Sequence, residues 1–202
     1  MSDNFINIKN IPVMWMTCDK SVGERQDSFN NMMTGIGLKA DKMNGSITEN
    51  YNIGVAEEYI KALSRYEPPF LILEDDARLN SDVTMNYKYE IKKGMDALYL
   101  GTSIVGRVNK QTKIGVIATD AGVYNRIFNM LSFHAVIYLS KKYINNCIDL
   151  LKMYIENPVG ACDDPLAENM WRFNVYAVKN PIFYQNDGRN EGMTLSLIKP
   201  CF

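Results

Sequence analysis

Phe70-Leu71-Ile72-Leu73-Glu74-Asp75-Asp76 is the stretch on which the fold turns. Pro68-Pro69 stops whatever precedes it, and four apolar residues then run without a break into three carboxylates. So short an apolar run, directly after a breaker, reads as a buried central strand rather than a helix. In open α/β sheets, ligands gather outside the carboxyl ends of such strands. Side-chain alternation puts Glu74 and Asp76 on one side of the strand and Asp75 on the other. Clustered carboxylates repel one another, more so when buried, and a divalent cation offsets that repulsion. Hard oxygen donors suit Mg²⁺ or Mn²⁺, which can in turn hold a diphosphate. The plainer alternative is a solvated acidic turn in which Asp76 caps a helix.

On both sides of this strand the patterns alternate between strand-like and helix-like, which predicts an α/β architecture. Ile11 to Thr17 is a short apolar run, read as a first buried strand. Ser21-Val22-Gly23-Glu24 reads as a capping box opening a helix that ends near Gly35 or Gly37. Ile53, Ala56, Tyr59, Ile60 and Leu63 recur at helical spacing and predict a second helix from about Asn52 to Tyr66. A third helix is expected over Ser81 to Lys93, and a strand over Asp96 to Leu100. Residues 102–130 have no clear period and are expected to form hairpins and a mobile loop. His134 to Leu139 reads as a strand, and Ser140 as the cap of a helix with Ile144, Ile148, Leu151 and Ile155 on its apolar stripe. Asp164-Pro165 reads as N-cap and first residue of a short helix. Val175 to Val178 and Ile182 to Tyr184 are the expected closing strands.

The chain has 202 residues, 47% of them hydrophobic, which suits one domain over residues 1–202 with a sizeable core. Its 22 Lys+Arg against 23 Asp+Glu exclude a globally basic nucleic-acid binder and, with that apolar content, a disordered chain. No apolar run approaches the ~18 residues of a membrane span. The polar N-terminus lacks the pattern of a secretory signal, so a cytoplasmic protein is expected (host cytoplasm if it is viral). Cys18, Cys147, Cys162 and Cys201 are scattered without a CxxC pair and read as reduced thiols. A single histidine, His134, argues against zinc sites of the Cys/His type, and neither a GxSxG elbow nor a Walker loop is present.

Several segments, in order, resemble a GT-A-type glycosyltransferase, most closely glycosyltransferase family 25, the group of the lipooligosaccharide and collagen galactosyltransferases. Arg25 in GERQDSF resembles the entry from the first strand into a helix, and Lys42-Met43-Asn44-Gly45 resembles the segment ending in Asn-Gly. Ile53 to Leu79, IGVAEEYIKALSRYEPPFLILEDDARL, resembles the helix, strand and acidic core and is the most specific piece. Asp96 to Gly101 (DALYLG), Phe133 to Ser140 (FHAVIYLS), Asp163-Asp164-Pro165-Leu166 and Pro181 to Gln185 (PIFYQ) resemble the later strands and the second acidic region. Where the family usually carries GC-x-x-S, this chain has Ile53-Gly54-Val55-Ala56.

The resemblance implies a single-domain GT-A, Rossmann-like fold, with a mainly parallel sheet flanked by helices. It also implies metal-dependent transfer of a hexosyl or pentosyl group from a nucleotide-diphosphate sugar of the UDP type. Glu74 and Asp76 would hold Mn²⁺ or Mg²⁺, with His134 a third ligand or an acceptor contact; the alternative for His134 is a satisfied core residue. Asp75 would touch sugar or ribose, and Thr17 and Asp19 the ribose or base. Arg25 would pair with a phosphate through its planar fork, or else face solvent on its helix. Gln185 would line the pocket. Asp163 or Asp164 would accept the proton of the attacking hydroxyl in an inverting displacement, although Asp164 also reads as a helix cap. The acceptor is expected to be a surface glycan. The alternative is hydroxymethylated DNA of a phage or virus, read by a basic face of Lys88, Lys92, Lys93, Arg107, Lys110 and Lys113. The rival readings are a nucleotidyltransferase, an inactive nucleotide-sugar-binding protein and a non-enzymatic interaction module.

Overall fold

The central apolar stretch lies inside an eight-stranded sheet in a computed structural model that describes residues 4–17, 23–45, 48–80 and 84–185. In chain order the elements are β1 (Phe5–Asn7), β2 (Val13–Thr17), α1 (Glu24–Gly35), β3 (Asp41–Asn44), α2 (Tyr51–Leu63) and β4 (Phe70–Glu74). There follow β5 (Ala77–Leu79), β6 (Lys88–Glu90), β7 (Ala97–Tyr99), β8 (Val105–Val108), β9 (Gln111–Gly115), β10 (Ala118–Ala121) and β11 (Tyr124–Ile127). The last are β12 (Ala135–Tyr138), α3 (Lys141–Glu156), α4 (Asp164–Asn169), β13 (Val175–Val178) and β14 (Phe183–Gln185).

The sheet runs β10-β11-β13-β7-β12-β4-β2-β3. β2 pairs parallel with β3 and β4, and β13 parallel with β7. β12 enters antiparallel between β4 and β7, and β11 is antiparallel to both β10 and β13. The expected helix-flanked α/β sheet is present. The parallel pairing is concentrated in β2, β3 and β4, and the sheet beyond them is mixed. The carboxyl ends of β2, β4 and β7 and the amino end of β12 therefore share one edge.

β4 is apolar from Phe70 to Leu73 because it is buried on both faces. Phe70 and Ile72 pack with Met14, Tyr99 and Tyr138 against α2 and α3. Leu71 and Leu73 pack with Val13, Trp15 and Ile137 against α1, where Trp15 stacks on Phe29 at 4.8 Å. Each such aliphatic or aromatic side chain contributes roughly 1.5–3 kcal/mol when fully buried. α3 begins as expected at Ser140, whose Oγ accepts from Tyr143 N at 3.2 Å. The same hydroxyl donates to Asp96 Oδ1 at 2.5 Å, and Asp96 Oδ2 accepts from Asn174 N at 2.8 Å. Buried Asp96 thus joins β7, the start of α3 and the approach to β13. Asp96→Ala leaves a hydroxyl and an amide without their acceptor. It is expected to cost about 2–4 kcal/mol in a urea melt.

Three expectations are corrected. The helix proposed over Ser81 to Lys93 does not form: residues 81–83 lie outside the described residues, and Lys88–Glu90 is a strand pairing with β1. Met85, Tyr87, Tyr89 and Ile91 alternate at period two and pack into the α1-side core, so the strand period outweighs the helical one. α1 starts at Glu24 with Gly23 at its N-cap, two residues past the start a Ser21 cap implies; Ser21 and Val22 lie outside the described residues. In α4 the N-cap is Asp163, with Asp164 the first helical residue. Residues 105–127 form the two hairpins β8–β9 and β10–β11. Among the described residues, no helix is long and apolar enough to cross a membrane.

Candidate active site

At the shared sheet edge lies a cleft of about 680 Å³, within the range of small-molecule sites. Its walls are the N-terminal turns of α2, the β8–β9 hairpin, the segment before β12 and the bend before α4. Among the described residues, five carboxylates line it (Glu58, Glu74, Asp75, Asp76 and Asp163) against one cation, Arg25.

The β2–β4 ladder continues one step past Glu74, with Asp75 N donating to Met16 O at 2.9 Å. The chain then turns at Asp75-Asp76 into β5, which pairs with β14 so that Ala77 faces Gln185. This register lets the Gln185 amide reach back. Its Nε2 donates to Glu74 Oε2 at 3.2 Å and to Asp76 Oδ2 at 3.4 Å. Asp75 turns instead toward α1, where its Oδ1 lies 2.6 Å from Arg25 Nη2; the same nitrogen is 3.3 Å from Asp76 Oδ2. Arg78 closes the turn from outside by donating to the carbonyls of Asp75 and Ala77. Burial first, and then the charges of Asp76, Asp163 and Asp75, push the Glu74 carboxyl well above its usual range.

The second acidic segment meets the first here, although the two are far apart in sequence. Asp163 Oδ2 accepts from Ser132 N at 3.0 Å, which fixes the carboxyl beside the amino end of β12. Burial and the neighbouring Asp164 push its pKa up to about 6. Asp164 points away from the cleft: it is buried, paired with Arg107, and accepts from Ala161 N at 2.9 Å. Of the two candidate bases, the geometry leaves Asp163 in the cleft.

Thr17 sits at the mouth of β2, and its orientation is set by a relay. Lys42 Nζ donates to Gln26 Oε1 at 3.0 Å, and Gln26 Nε2 donates to Thr17 Oγ1 at 2.9 Å. An ammonium has only donors, so the amide must turn its oxygen to Lys42 and its nitrogen to Thr17. The Thr17 hydroxyl accepts and therefore carries its own proton toward another acceptor.

His134 is not gathered with Glu74 and Asp76. Its Nδ1 is hydrogen-bonded with Ser132 Oγ, and its ring lies over Gly101, where an added Cβ would stand 2.0 Å from Nε2 and 3.0 Å from Phe183 O. The core reading fits this placement. Gly101→Ala must displace the imidazole or the β14 backbone. A loss of about 1–3 kcal/mol or more in thermal melts is expected.

Among the described residues, no three His, Cys, Asp or Glu side chains are grouped to hold a metal ion. The donor set nevertheless fits Mg²⁺ or Mn²⁺ held by two carboxylates, Glu74 and Asp76, with substrate phosphates completing the shell, since Mg²⁺ sites are commonly built that way. Thr17, Arg25, Asp75, Asp163 and Gln185 line the same cleft. Asp19 lies outside the described residues. Sequence reasoning overlooked Glu58, 2% exposed, and Tyr51, 54% exposed, both on the cleft face of α2. The signal for Glu58 was a carboxylate three residues after Val55 and four before Ala62, on the buried face of the helix.

No protein-family model and no curated protein matches the chain. Among solved structures, it is similar to the nucleoside-diphosphate-sugar pyrophosphorylase from Vibrio cholerae RC9. That match has 12% sequence identity and a TM-score of 0.45, and covers 85% of this chain and 73% of that one.

Proposed function

We propose that the chain transfers a sugar from a nucleotide-diphosphate sugar of the UDP type to a hydroxyl acceptor. Glu74 and Asp76 would hold Mn²⁺ or Mg²⁺. The observation that carries this reading is the meeting of two acidic segments with Arg25 and Thr17 in one cleft, where, among the described residues, five carboxylates face a single cation. Such a cleft repels a diphosphate unless a cation comes with it. When bound, the ion supplies positive charge against the departing diphosphate.

The remaining work falls to the chain's own side chains. Arg25 has a side chain 40% exposed, and its guanidinium can turn from Asp75 toward a phosphate oxygen as a charged, forked donor. Thr17, at the mouth of β2, lines the place where a ribose or base would sit. Asp163 takes the proton of the attacking acceptor hydroxyl, a role worth roughly 10²–10⁴ in rate. The α2 wall, with Tyr51 at its rim, and the β8–β9 hairpin shield the reacting atoms from water.

The charge pattern favours an uncharged hydroxyl acceptor such as a glycan over DNA. A divalent ion and a doubly charged donor cancel one another, so the acidic excess of the cleft persists when both are bound. Three residues of the proposed basic face also lie away from the cleft. Arg107 is buried in ion pairs with Asp164 and Glu168. Lys92 and Lys93 border a separate cavity with Pro69, Met95 and Leu139, at the opposite edge of the sheet.

The test is a screen of nucleotide sugars, with and without Mn²⁺, against saccharides and hydroxymethylated DNA. Release of nucleoside diphosphate that needs both metal and a saccharide is the expected result. Release of pyrophosphate from a nucleoside triphosphate and a sugar phosphate would instead identify a nucleotidyltransferase. Donor binding without turnover would identify a binding protein. Preferential modification of DNA would reverse the acceptor assignment.

A further inference from the structure

The β8–β9 hairpin and the bend before α4 form facing walls of the cleft, carrying Val105 and Ile114 on one side and Cys162 and Asp163 on the other. They are far apart in sequence, and the groups that join them lie behind the cleft. Arg107, on β8 and 7% exposed, pairs through Nη1 with Asp164 and donates from Nε to Glu168 Oε1 at 2.9 Å. Glu168 Oε1 also accepts from Lys110 N at 2.5 Å, at the hairpin tip where Asn109 and Lys110 have φ of 50° and 63°. Asp164 passes the connection on to Ala161 N at 2.9 Å. One guanidinium fork therefore grips the first and second turns of α4, and through them the bend that presents Asp163.

The surrounding backbone is shaped to admit this fork. A Cβ at Gly160 would lie 2.2 Å from Asp164 Oδ2 and 3.3 Å from Arg107 Nη1, and Gly160 has φ of 78°. Gly106 similarly has no room for a side chain, because a Cβ there would meet Asn129 Nδ2 at 2.5 Å. Asn129 O accepts from Arg107 N at 2.9 Å, and Asn129 Oδ1 accepts from Ile117 N at 2.6 Å. The hairpin is thus latched to the sheet on one side and to α4 on the other.

We propose that Arg107 is a positioning residue that holds the Cys162-Asp163 bend and the hairpin wall in register, so that Asp163 faces the cleft. The planar fork is essential to this role. A lysine at the same position could meet one carboxylate but could not span both in fixed geometry. The catalytic part of the inference rests on the proposed sugar transfer; the positional part does not.

The experiment reads the position directly through thiol alkylation, followed by peptide mass spectrometry. Cys162 is buried in the bend, and Cys147 is buried in the core on α3 and serves as the control for global unfolding. In Arg107→Ala, alkylation of Cys162 is expected to rise by about tenfold or more while Cys147 is unchanged, because a local opening replaces the broken pair. Arg107→Lys should fall between, and Glu168→Gln should show a smaller rise in a variant that keeps the Arg107–Asp164 arm. Equal acceleration of Cys162 and Cys147, or no acceleration of Cys162 in either Arg107 variant, overturns the proposal. With a nucleotide sugar and acceptor, kcat should fall about tenfold in Arg107→Lys with donor KM within about twofold, as a misplaced base requires. An unchanged kcat overturns the catalytic part. A wild-type protein that transfers no sugar, while Cys162 responds selectively, sinks the transfer reading and leaves the positional part standing.

Discussion

Asp163→Asn is expected to lower sugar transfer by about 10²–10⁴-fold and yet to make the protein harder to melt. The substitution keeps the shape of the side chain, and the amide oxygen can still accept from Ser132 N. What it removes is a proton acceptor and a negative charge. Asp163 has a carboxyl pKa raised to about 6 by burial and by Asp164. A carboxyl whose pKa is higher in the folded chain than in the unfolded chain favours folding when protonated and opposes it when ionised. The cost therefore begins near the unfolded value, ~4, grows as pH rises, and is complete above the folded value. At pH 7.5 the aspartate variant bears that cost in full and the asparagine variant does not. Because the group is only partly buried, a gain on the order of 1–2 kcal/mol is the appropriate scale. In practice, the melting temperatures of the two proteins should lie close together near pH 4 and separate by pH 7.5, the variant melting higher. A structural cap would give the opposite sign at every pH. Higher stability with lost turnover is the trade expected of a group retained for chemistry.

Much of the frame was legible because one cause dominated each segment. Phe70 to Leu73 can only be a strand buried on both faces, and Ser140 is followed by a clean apolar stripe, so strand, cap and helix all stand where the residues place them. The acidic turn was legible for a related reason: three charged residues in a row end a run that is buried on both faces. Elsewhere two signals competed. Between Met85 and Ile91 the alternation at period two was present in the sequence, but the charged residues between also permit a helix, and only pairing with β1 decides the matter. Asp163 and Asp164 are adjacent and chemically alike, and their division of labour depends on Arg107, which comes from a hairpin the sequence could not dock. The place of His134 has the same origin: Ser132 Oγ and the close approach of Gly101, just past β7, hold its ring, and strand adjacency is not written in local pattern. Glu58 shows the converse: its burial on α2 is readable from the helical period, but a single acid within an apolar stripe carries a weaker signal than a run of acids.

Asp76→Asn is expected to abolish metal-dependent stabilisation while leaving the metal-free protein at least as stable as the wild type. Asp76 lies 3.3 Å from Arg25 Nη2 and 3.4 Å from Gln185 Nε2, and an asparagine oxygen can accept from both. Among the neighbouring charges, Asp76 does most to raise the Glu74 carboxyl, so neutralising it relieves repulsion at the foot of the cleft. In the proposed site a bound divalent ion would relieve the same repulsion in the wild type, and its binding energy would add to stability. At a concentration about a hundredfold above its dissociation constant, one ion contributes ~2.7 kcal/mol, which for a chain of this size is about 5–10 °C in melting temperature. Wild-type protein should therefore gain that much with Mn²⁺ and a nucleotide sugar, and lose it again on chelation. Asp76→Asn should show neither change, and its transfer rate should fall by about 10²-fold or more, since a removed charge stabiliser costs that much in comparable sites. If Mn²⁺ and donor shift the wild type and the variant equally, the ion does not sit between Glu74 and Asp76. If they shift neither, the acidic turn is a solvated bend held together by Arg25 and Gln185.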